Sequence, residues 1–248
     1  MIGRVLLVVL LAGSAAAAEL RSGYDDAGPQ TRAMQDDDGA NPGFLWVQQG
    51  QSLWGEKAGA AGKSCADCHD IGAMRGVAAR YPAFDARLGR PITLDQRIEQ
   101  CRTERQGASA LGPEDDGRLA LSAYVGLQSR GMPVQPEADA RMRGFVESGR
   151  VLYETRQGQL NLSCSQCHDG LAGQSLGGAR IPQGHPNGYP LYRLEWQAMG
   201  SLYRRIRNCM AGVRAAPYAA DAPELVALEA YLAVRAAGLK VETPAVRP

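Results

Sequence analysis

Apolar residues recur at helical spacing in several separate stretches of the chain. Two such stripes lack proline in their interiors: Phe145, Val146, Gly149, Leu152 and Tyr153, and Leu225, Leu228, Tyr231 and Leu232. The segments 94–101 and 202–209 also have the pattern of helical turns with charge on the outer face. Gly- and Pro-rich connections such as residues 173–190 separate the helices, and the alternation typical of strands is weak. The pattern predicts a mainly α protein.

The same pattern occurs twice. W-V-Q-Q-G-Q-S-L-W at 46–54 aligns with F-V-E-S-G-R-V-L-Y at 145–153, and L-D-Q-R-I-E-Q-C at 94–101 aligns with L-Y-R-R-I-R-N-C at 202–209. A repeat of this kind indicates two homologous units. We therefore predict two tandem domains related by internal duplication, residues 44–135 and 136–248, with a polar linker near 131–138. The Asp- and Gly-rich segment 19–43 is expected to be an extended arm or a poorly ordered lead-in.

The N-terminus has the pattern of a targeting segment. Residues 1–18 contain one arginine, an apolar core over 5–11 and a run of small residues ending at Ala18. This predicts a signal peptide cleaved after Ala18, because the apolar run is shorter than the roughly 20 residues of a membrane-spanning helix. We expect the mature protein in the periplasm, with no membrane anchor. The formal net charge of +1 gives no general electrostatic basis for binding nucleic acid.

Two C-x-x-C-H motifs lie at corresponding places in the two halves, S-C-A-D-C-H-D at 64–70 and S-C-S-Q-C-H-D at 163–169. In this motif two thiols attach to the vinyl groups of haem and the histidine binds the iron. A thioredoxin-like redox site would need a βαβ context, and a zinc site would need a closed set of four ligands. The motifs therefore predict two covalently bound c-type haems, attached at Cys65 and Cys68 with His69, and at Cys164 and Cys167 with His168.

Methionine is a common sixth ligand of small cytochromes, but this chain offers few candidates. Met74 follows His69 too closely to reach the other face of the haem, whereas Met199 and Met210 remain open to the second haem. His185, in the Gly/Pro-rich loop, is expected to be a solvated loop residue.

Cys101 and Cys209 occupy equivalent positions, each ending an R-I-x-x-C helix. A disulfide between them is one interpretation, and free buried thiols are another. A disulfide needs Cα atoms within about 7 Å, which equivalent points of two side-by-side units satisfy only at a two-fold axis. We favour the hypothesis that each cysteine binds the iron of its own half as a thiolate.

Charge differs between the two cysteine-bearing helices. The window around Cys101 is locally neutral, whereas the window around Cys209 holds four arginines and no acid: Arg204, Arg205, Arg207 and Arg214. A solvated helix face is the simpler interpretation. The asymmetry favours an anion-binding site at the second haem, with a small sulfur oxyanion as substrate and electron relay at the first haem.

Over roughly residues 44–238, the two C-x-x-C-H motifs together with R-I-E-Q-C-R-T and R-R-I-R-N-C-M resemble the A subunit of the Sox thiosulfate-oxidising system. This family comprises dihaem L-cysteine S-thiosulfotransferases. The resemblance implies that His69 and Cys101 bind the first iron and that His168 and Cys209 bind the second. It also implies that Cys209, often a persulfide in the family, is the active-site ligand, with Arg205 as the catalytic arginine.

The resemblance further implies a reaction and its partners. Thiosulfate would be joined to a cysteine of a carrier similar to SoxYZ, with electrons passing through haem to a soluble cytochrome c. A monohaem subunit similar to SoxX would complete a heterodimer. A thiosulfate dehydrogenase that forms tetrathionate and a dihaem cytochrome that only transfers electrons are the alternatives.

Overall fold

The computed structural model describes residues 19–137 and 139–248, so the predicted signal peptide lies outside the described residues. The helices are α1 (Pro29–Asp36), α2 (Phe44–Gly55), α3 (Leu94–Cys101), α4 (Asp116–Leu127), α5 (Arg143–Glu154), α6 (Cys164–His168), α7 (Leu202–Gly212) and α8 (Pro223–Arg235). The strands are β1 (Ala83–Asp85), β2 (Arg90–Ile92), β3 (Ser175–Leu176), β4 (Ala179–Arg180), β5 (Leu191–Arg193), β6 (Ala198–Gly200) and β7 (Ala245–Arg247). The prediction of a mainly helical protein is confirmed. Within the described ranges, no helix has the length and apolarity needed to span a membrane.

Two long helices pack together in each half, α2 against α4 and α5 against α8. A glycine of the first helix allows the close approach in each case. A Cβ on Gly50 would lie 2.1 Å from the carbonyl oxygen of Ala120, and one on Gly149 would lie 2.0 Å from that of Ala227. The paired glycines of the sequence repeat are therefore the points where the helices of each half meet.

Each half also contains a short antiparallel hairpin that leads into the cysteine-bearing helix. Strands β1 and β2 precede α3, and β5 and β6 precede α7 with the same register, while β7 joins β5 in parallel. Thr93 and Ser201 start the two helices by accepting a hydrogen bond from the backbone N–H three residues on. Strands of two or three residues are too short to show alternation, which is why the strand pattern is weak in the sequence.

The two cysteine-bearing helices end differently from each other. Helix α3 ends at Cys101 as predicted, and the chain continues into a π-helical turn over Arg102–Gln106. Helix α7 continues to Gly212, so Cys209 lies inside a helix and not at its end. The prediction that both cysteines end their helices is therefore wrong for the second half.

The N-terminal extension is folded against the C-terminal segment, contrary to the expected extended or poorly ordered lead-in. It contains α1, and the side chain of Asn41 donates a hydrogen bond to the carbonyl of Pro244 at 2.9 Å. The predicted linker is packed as well. Val134 is buried and donates its N–H to Leu239 at 2.7 Å. Both segments therefore form part of the packed structure.

Met199 lies on β6 and is only 1% exposed. Its side chain packs in one cluster with Val47, Leu119 and Ala123, which belong to the helices of the first half. This packing argues against Met199 as a ligand of the second haem, because its side chain is buried in the hydrophobic core of the first half.

Candidate functional site

The second C-x-x-C-H motif forms the short helix α6, whose start is fixed by a capping box. The backbone N–H of Ser163 donates to the side chain of Gln166 at 2.9 Å, and the Ser163 hydroxyl accepts from the Gln166 N–H at 3.3 Å. Cys164 and Cys167 are three residues apart on this helix, so their side chains lie on one face. His168 ends the same helix. The motif thus presents two thiols and an imidazole from one rigid turn.

His168 is held in one orientation by the long loop of the second half. Its Nδ1 lies 2.7 Å from the carbonyl oxygen of Pro182, which leaves Nε2 free for a metal. Burial lowers the pKa of His168, and the neutral imidazole is the form that binds iron. Gly184, at φ +76°, lies against the ring, where a Cβ would be 3.0 Å from His168 Cγ. The loop is therefore shaped around the histidine.

A polar network behind this loop was not predicted from the sequence. Arg235 donates from Nη1 to the carbonyl of Gln183 at 2.9 Å, forms an ion pair with Asp169, and stacks over the Tyr153 ring at 4.4 Å. The Tyr153 hydroxyl donates to the same Asp169 carboxylate at 2.9 Å. Because Gln183 follows Pro182, the network supports the carbonyl that accepts the hydrogen bond from His168.

The repeat itself contained the signal for this network. Position 128 corresponds to 235, and position 54 corresponds to 153. The first half has Gln128 and Trp54 at these positions, neither of which can form the same ion pair and hydroxyl contact. A difference between two otherwise matching halves was the available clue.

The first C-x-x-C-H motif is more open. Residues 65–69 form a turn in which the N–H of His69 donates to the carbonyl of Cys65 at 2.9 Å. Ser64 and Asp67 cap this turn reciprocally, at 2.8 and 3.1 Å. The His69 ring is exposed and lies 6.2 Å from the ring of Trp54. The same donor types are present as in the second half, but they are less enclosed by protein.

None of the six cysteines, all of which lie in the described residues, forms a disulfide, so the interpretation of a disulfide between Cys101 and Cys209 is wrong. Each of these two cysteines is close to the motif of its own half. Burial raises the pKa of Cys164 to about 11, and the neighbouring Cys209 adds to that shift. Burial likewise raises the pKa of Cys65, and Cys101 contributes. Each half therefore has a third thiol within electrostatic range of the two thiols and the imidazole of its motif.

This donor set fits a c-type haem in the second half. Cys164 packs against an apolar cluster that includes Leu202, Ile206, Leu228 and Leu232. Such a lining suits a planar apolar ring, with two thiols for its vinyl groups and the free Nε2 of the histidine for its iron. The cluster lies on α7 and α8, and α7 also carries Cys209.

Arg205 lies one helical turn before Cys209 on α7. Both residues influence the pKa of the Tyr189 phenol. Burial is the main cause that raises this pKa to about 12; the charge of Cys209 raises it as well, and the charge of Arg205 opposes the shift. Among residues 19–137 and 139–248, none of the four arginines predicted around Cys209 forms an ion pair. Arg204 instead stacks on Trp196 at 4.2 Å. The uncompensated positive charge predicted from the sequence is present.

The corresponding arginine of the first half is neutralised. Arg97, four residues before Cys101, forms an ion pair with Asp85 at 2.9 Å. Burial by itself lowers the pKa of Arg97, but hydrogen bonds and charge interactions with Tyr81 and Asp85 outweigh it and raise the pKa. This ion pair agrees with the local neutrality predicted around Cys101.

His185 is not the solvated residue expected from its loop. Its Nδ1 lies 2.7 Å from the carbonyl oxygen of Arg21, in the N-terminal extension. Burial lowers the pKa of His185. The residue therefore joins the extension to the loop that also carries Pro182.

Comparison with known proteins agrees with this architecture. A family described as SoxA/TsdA, cytochrome c domain, matches residues 49–134 and 148–241. The chain is 42% identical to the L-cysteine S-thiosulfotransferase subunit SoxA of Pseudaminobacter salicylatoxidans, over 88% of this chain and 77% of that protein. It is 40% identical to the subunit of the same name from Rhodovulum sulfidophilum, over 92% of this chain and 80% of that protein.

A solved structure is similar over nearly the whole described chain. The crystal structure of SoxXA from P. pantotrophus superposes with a TM-score of 0.89 at 34% identity, covering 92% of this chain and 87% of that chain. Because the family match extends over both halves and the relatives share up to 42% identity, the chain belongs to the SoxA/TsdA cytochrome c family.

Proposed function

We propose that this protein is the catalytic, dihaem subunit of a periplasmic L-cysteine S-thiosulfotransferase. The observation that carries the proposal is the placement of Cys209 and an arginine without an ion pair, Arg205, on one helix beside the second C-x-x-C-H motif. The names of the relatives support the same reaction class.

The reaction joins thiosulfate to a cysteine thiol of a carrier protein. The terminal sulfur of thiosulfate and the thiol sulfur form a new S–S bond, the thiol loses its proton, and two electrons are released. The product is a cysteine S-thiosulfonate with one negative charge. A haem held by Cys164, Cys167, His168 and Cys209, and another held by Cys65, Cys68, His69 and Cys101, would supply the two one-electron acceptors.

The side chains of the second half bind and orient the substrate in this proposal. Arg205 binds the sulfonate end, because a guanidinium forms paired, charge-assisted hydrogen bonds with oxyanions. Cys209 then lies one helical turn away from the bound anion, where its sulfur can meet the terminal sulfur of thiosulfate. Tyr189, with its pKa raised to about 12, remains protonated at neutral pH and can donate a hydrogen bond to an anion bound beside Arg205.

The first half serves as the electron relay. Arg97 is already paired with Asp85, so the corresponding guanidinium is not free for an anion. The greater exposure of His69 supports this role, because an electron can leave to a partner from a site near the protein surface. We propose a soluble cytochrome c as that acceptor.

Two protein partners complete the proposal. The similar structure from P. pantotrophus is a SoxXA complex, and we propose that this chain likewise binds a monohaem SoxX-like subunit. The carrier is proposed to be SoxYZ-like, with its cysteine on a mobile arm that reaches Cys209. The targeting pattern of residues 1–18 supports the proposal that the reaction takes place in the periplasm.

The test uses the mature protein with its SoxX-like subunit, thiosulfate, the carrier and oxidised cytochrome c. Mass spectrometry of the carrier should show the thiosulfonate adduct, and the same method on this chain should count two haems. Cys209→Met should abolish the adduct, and Arg205→Gln should lower its rate by about 10²–10³ because the oxyanion loses its charged donor. Cys101→Met is the matched control in the first half and should leave adduct formation measurable.

Two outcomes would replace this proposal. Tetrathionate formed from thiosulfate without any carrier would identify a thiosulfate dehydrogenase. Adduct formation at the wild-type rate by Cys209→Met, with only the haem spectrum altered, would reduce the protein to an electron-transfer cytochrome.

A further inference from the structure

Corresponding positions of the two hairpins carry opposite charges. Strands β1 and β5 begin hairpins of identical register, in which Asp85 faces Arg90 and Arg193 faces Ala198. Both hairpins lead directly into the cysteine-bearing helix of their half. Position 193 of the second half is therefore the structural counterpart of position 85 in the first.

In the first half this position neutralises the helix arginine. The side chain of Asp85 is only 5% exposed, and its carboxylate pairs with the guanidinium of Arg97 at 2.9 Å. It also accepts the N–H groups of Arg87 and Leu88 at 2.8 and 3.0 Å, which fix its direction. An anion that approached Arg97 would have to displace a buried, hydrogen-bonded carboxylate.

In the second half the corresponding position holds Arg193 instead of an acid. Arg205 therefore lacks the carboxylate partner that Asp85 provides for Arg97. Arg193 is only 15% exposed, and its Nε donates to Glu195 at 2.8 Å. Because Glu195 is 64% exposed, this ion pair is a weak surface pair that an incoming anion can exchange. The charge order of the first hairpin, acid at 85 and base at 87, is thus reversed at 193 and 195.

Arg193 is held against helix α7 by packing. Its guanidinium stacks on Trp196 at 5.5 Å, and Arg204 stacks on the same ring at 4.2 Å. The side chain of Glu195 is influenced by both cations: the hydrogen bond from Arg193 lowers its pKa, and Arg205 lowers it further. At the corresponding positions of the first half Asp85 contacts Arg97 at 2.9 Å, so the identical hairpin register indicates that Arg193 approaches Arg205 in the second half.

We propose that Arg193 is a second anion-binding guanidinium of the Cys209 site and sets its preference for a doubly charged sulfur oxyanion. The identity of that anion as thiosulfate rests on the proposed function, whereas the binding role does not. Two guanidiniums without a competing buried carboxylate stabilise a dianion more than a monoanion, because each negative charge gains its own partner.

The test compares anion binding to the oxidised holoprotein by isothermal titration calorimetry. Thiosulfate is the dianion probe and thiocyanate the monoanion probe. Arg193→Gln should weaken thiosulfate binding by about ten- to a hundredfold and thiocyanate binding much less. Arg193→Lys should retain most of the affinity. Arg193→Asp should lose more than Arg193→Gln, because the new carboxylate can pair with Arg205 as Asp85 pairs with Arg97.

Arg87→Gln is the matched control, since it removes an exposed guanidinium from the corresponding hairpin of the first half. It should leave both affinities unchanged. Unchanged thiosulfate affinity in Arg193→Gln, or an equal loss for both anions, would overturn the proposal. The KM for thiosulfate in carrier conjugation should rise in parallel with the dissociation constant. If the wild-type protein forms no conjugate, the proposed function fails, and calorimetry still decides the role of Arg193.

Discussion

Replacing Arg235 by glutamine tests whether the network behind His168 is structural support for the second haem site. Glutamine is the residue that the first half has at the corresponding position, Gln128. The substitution removes the donor to the Gln183 carbonyl, the ion pair with Asp169 and the stacking on Tyr153. Glutamine keeps most of the aliphatic part of the side chain, so the interactions that are lost are chiefly those of the charged guanidinium.

The magnitude follows from the burial of each contact. Arg235 is 16% exposed, so loss of its charged hydrogen bond to Gln183 costs about 1.5–3 kcal/mol. The pair with Asp169 adds less than about 1 kcal/mol, because Asp169 is 49% exposed, and the stacking on Tyr153 adds about 0.5–1 kcal/mol. We expect a loss of about 2–5 kcal/mol in unfolding free energy, which lowers Tm by roughly 4–20 °C in a chain of this size.

Calorimetric unfolding of the holoprotein measures the stability, and low-temperature electron paramagnetic resonance separates the two haems. Only the signals assigned to the second haem should shift, because the network supports the Pro182 carbonyl that orients His168. Arg150→Gln is the control, since it removes two exposed ion pairs on α5 and should leave Tm and both signals unchanged. An Arg235→Gln variant with wild-type Tm and an unaltered second-haem signal would refute this reasoning.

Two further predictions concern packing and pH. Gly149→Ala should destabilise the second half severely, because the new Cβ would lie 2.0 Å from the carbonyl oxygen of Ala227. Gly144→Ala, on the same helix, is the control and should be tolerated, because its Cβ would meet no atom within 4 Å. Thermal unfolding of the two variants measures the difference. Glu229 lines a cavity of about 120 Å³ between the halves, and burial, together with Asp95, raises its pKa to about 8. Because the folded state holds this proton more tightly than the unfolded state, its contribution is favourable at low pH and is lost as pH rises from the unfolded value of about 4.3 through 8. Glu229→Gln should therefore flatten the decline of unfolding free energy over that range, and an unchanged pH profile would contradict the assignment.

The sequence alone determined the features that depend on short spacing. The two C-x-x-C-H motifs, the bounds of α3 and the glycines of the helix crossings all follow from local pattern and from the repeat. The unbalanced arginines around Cys209 were also visible, since all four lie within five residues of it along the chain. These features need no knowledge of how distant segments pack.

The sequence-based expectations were wrong where packing decided the outcome. The lead-in segment is folded because the C-terminal strand β7 offers it a surface, and His185 is half-buried because that segment contacts its loop. Met199 is buried in the first half although its position in the chain belongs to the second. Local composition contains no information about such long-range partners.

Tertiary structure also decided which arginine of the repeat is available to an anion. Arg97 and Arg205 have the same spacing from their cysteines, and the sequence windows around them show a difference in overall charge but not which arginine has a partner. The decisive partner lies twelve residues earlier in each half, on a hairpin strand: Asp85 pairs with Arg97, whereas Arg193 occupies the matching position near Arg205. Only folding brings the hairpin strand and the cysteine-bearing helix of each half together. Electrostatic interactions depend on the distance between charges in space and not on their separation along the chain, so the sequence alone could not identify the partner of each arginine.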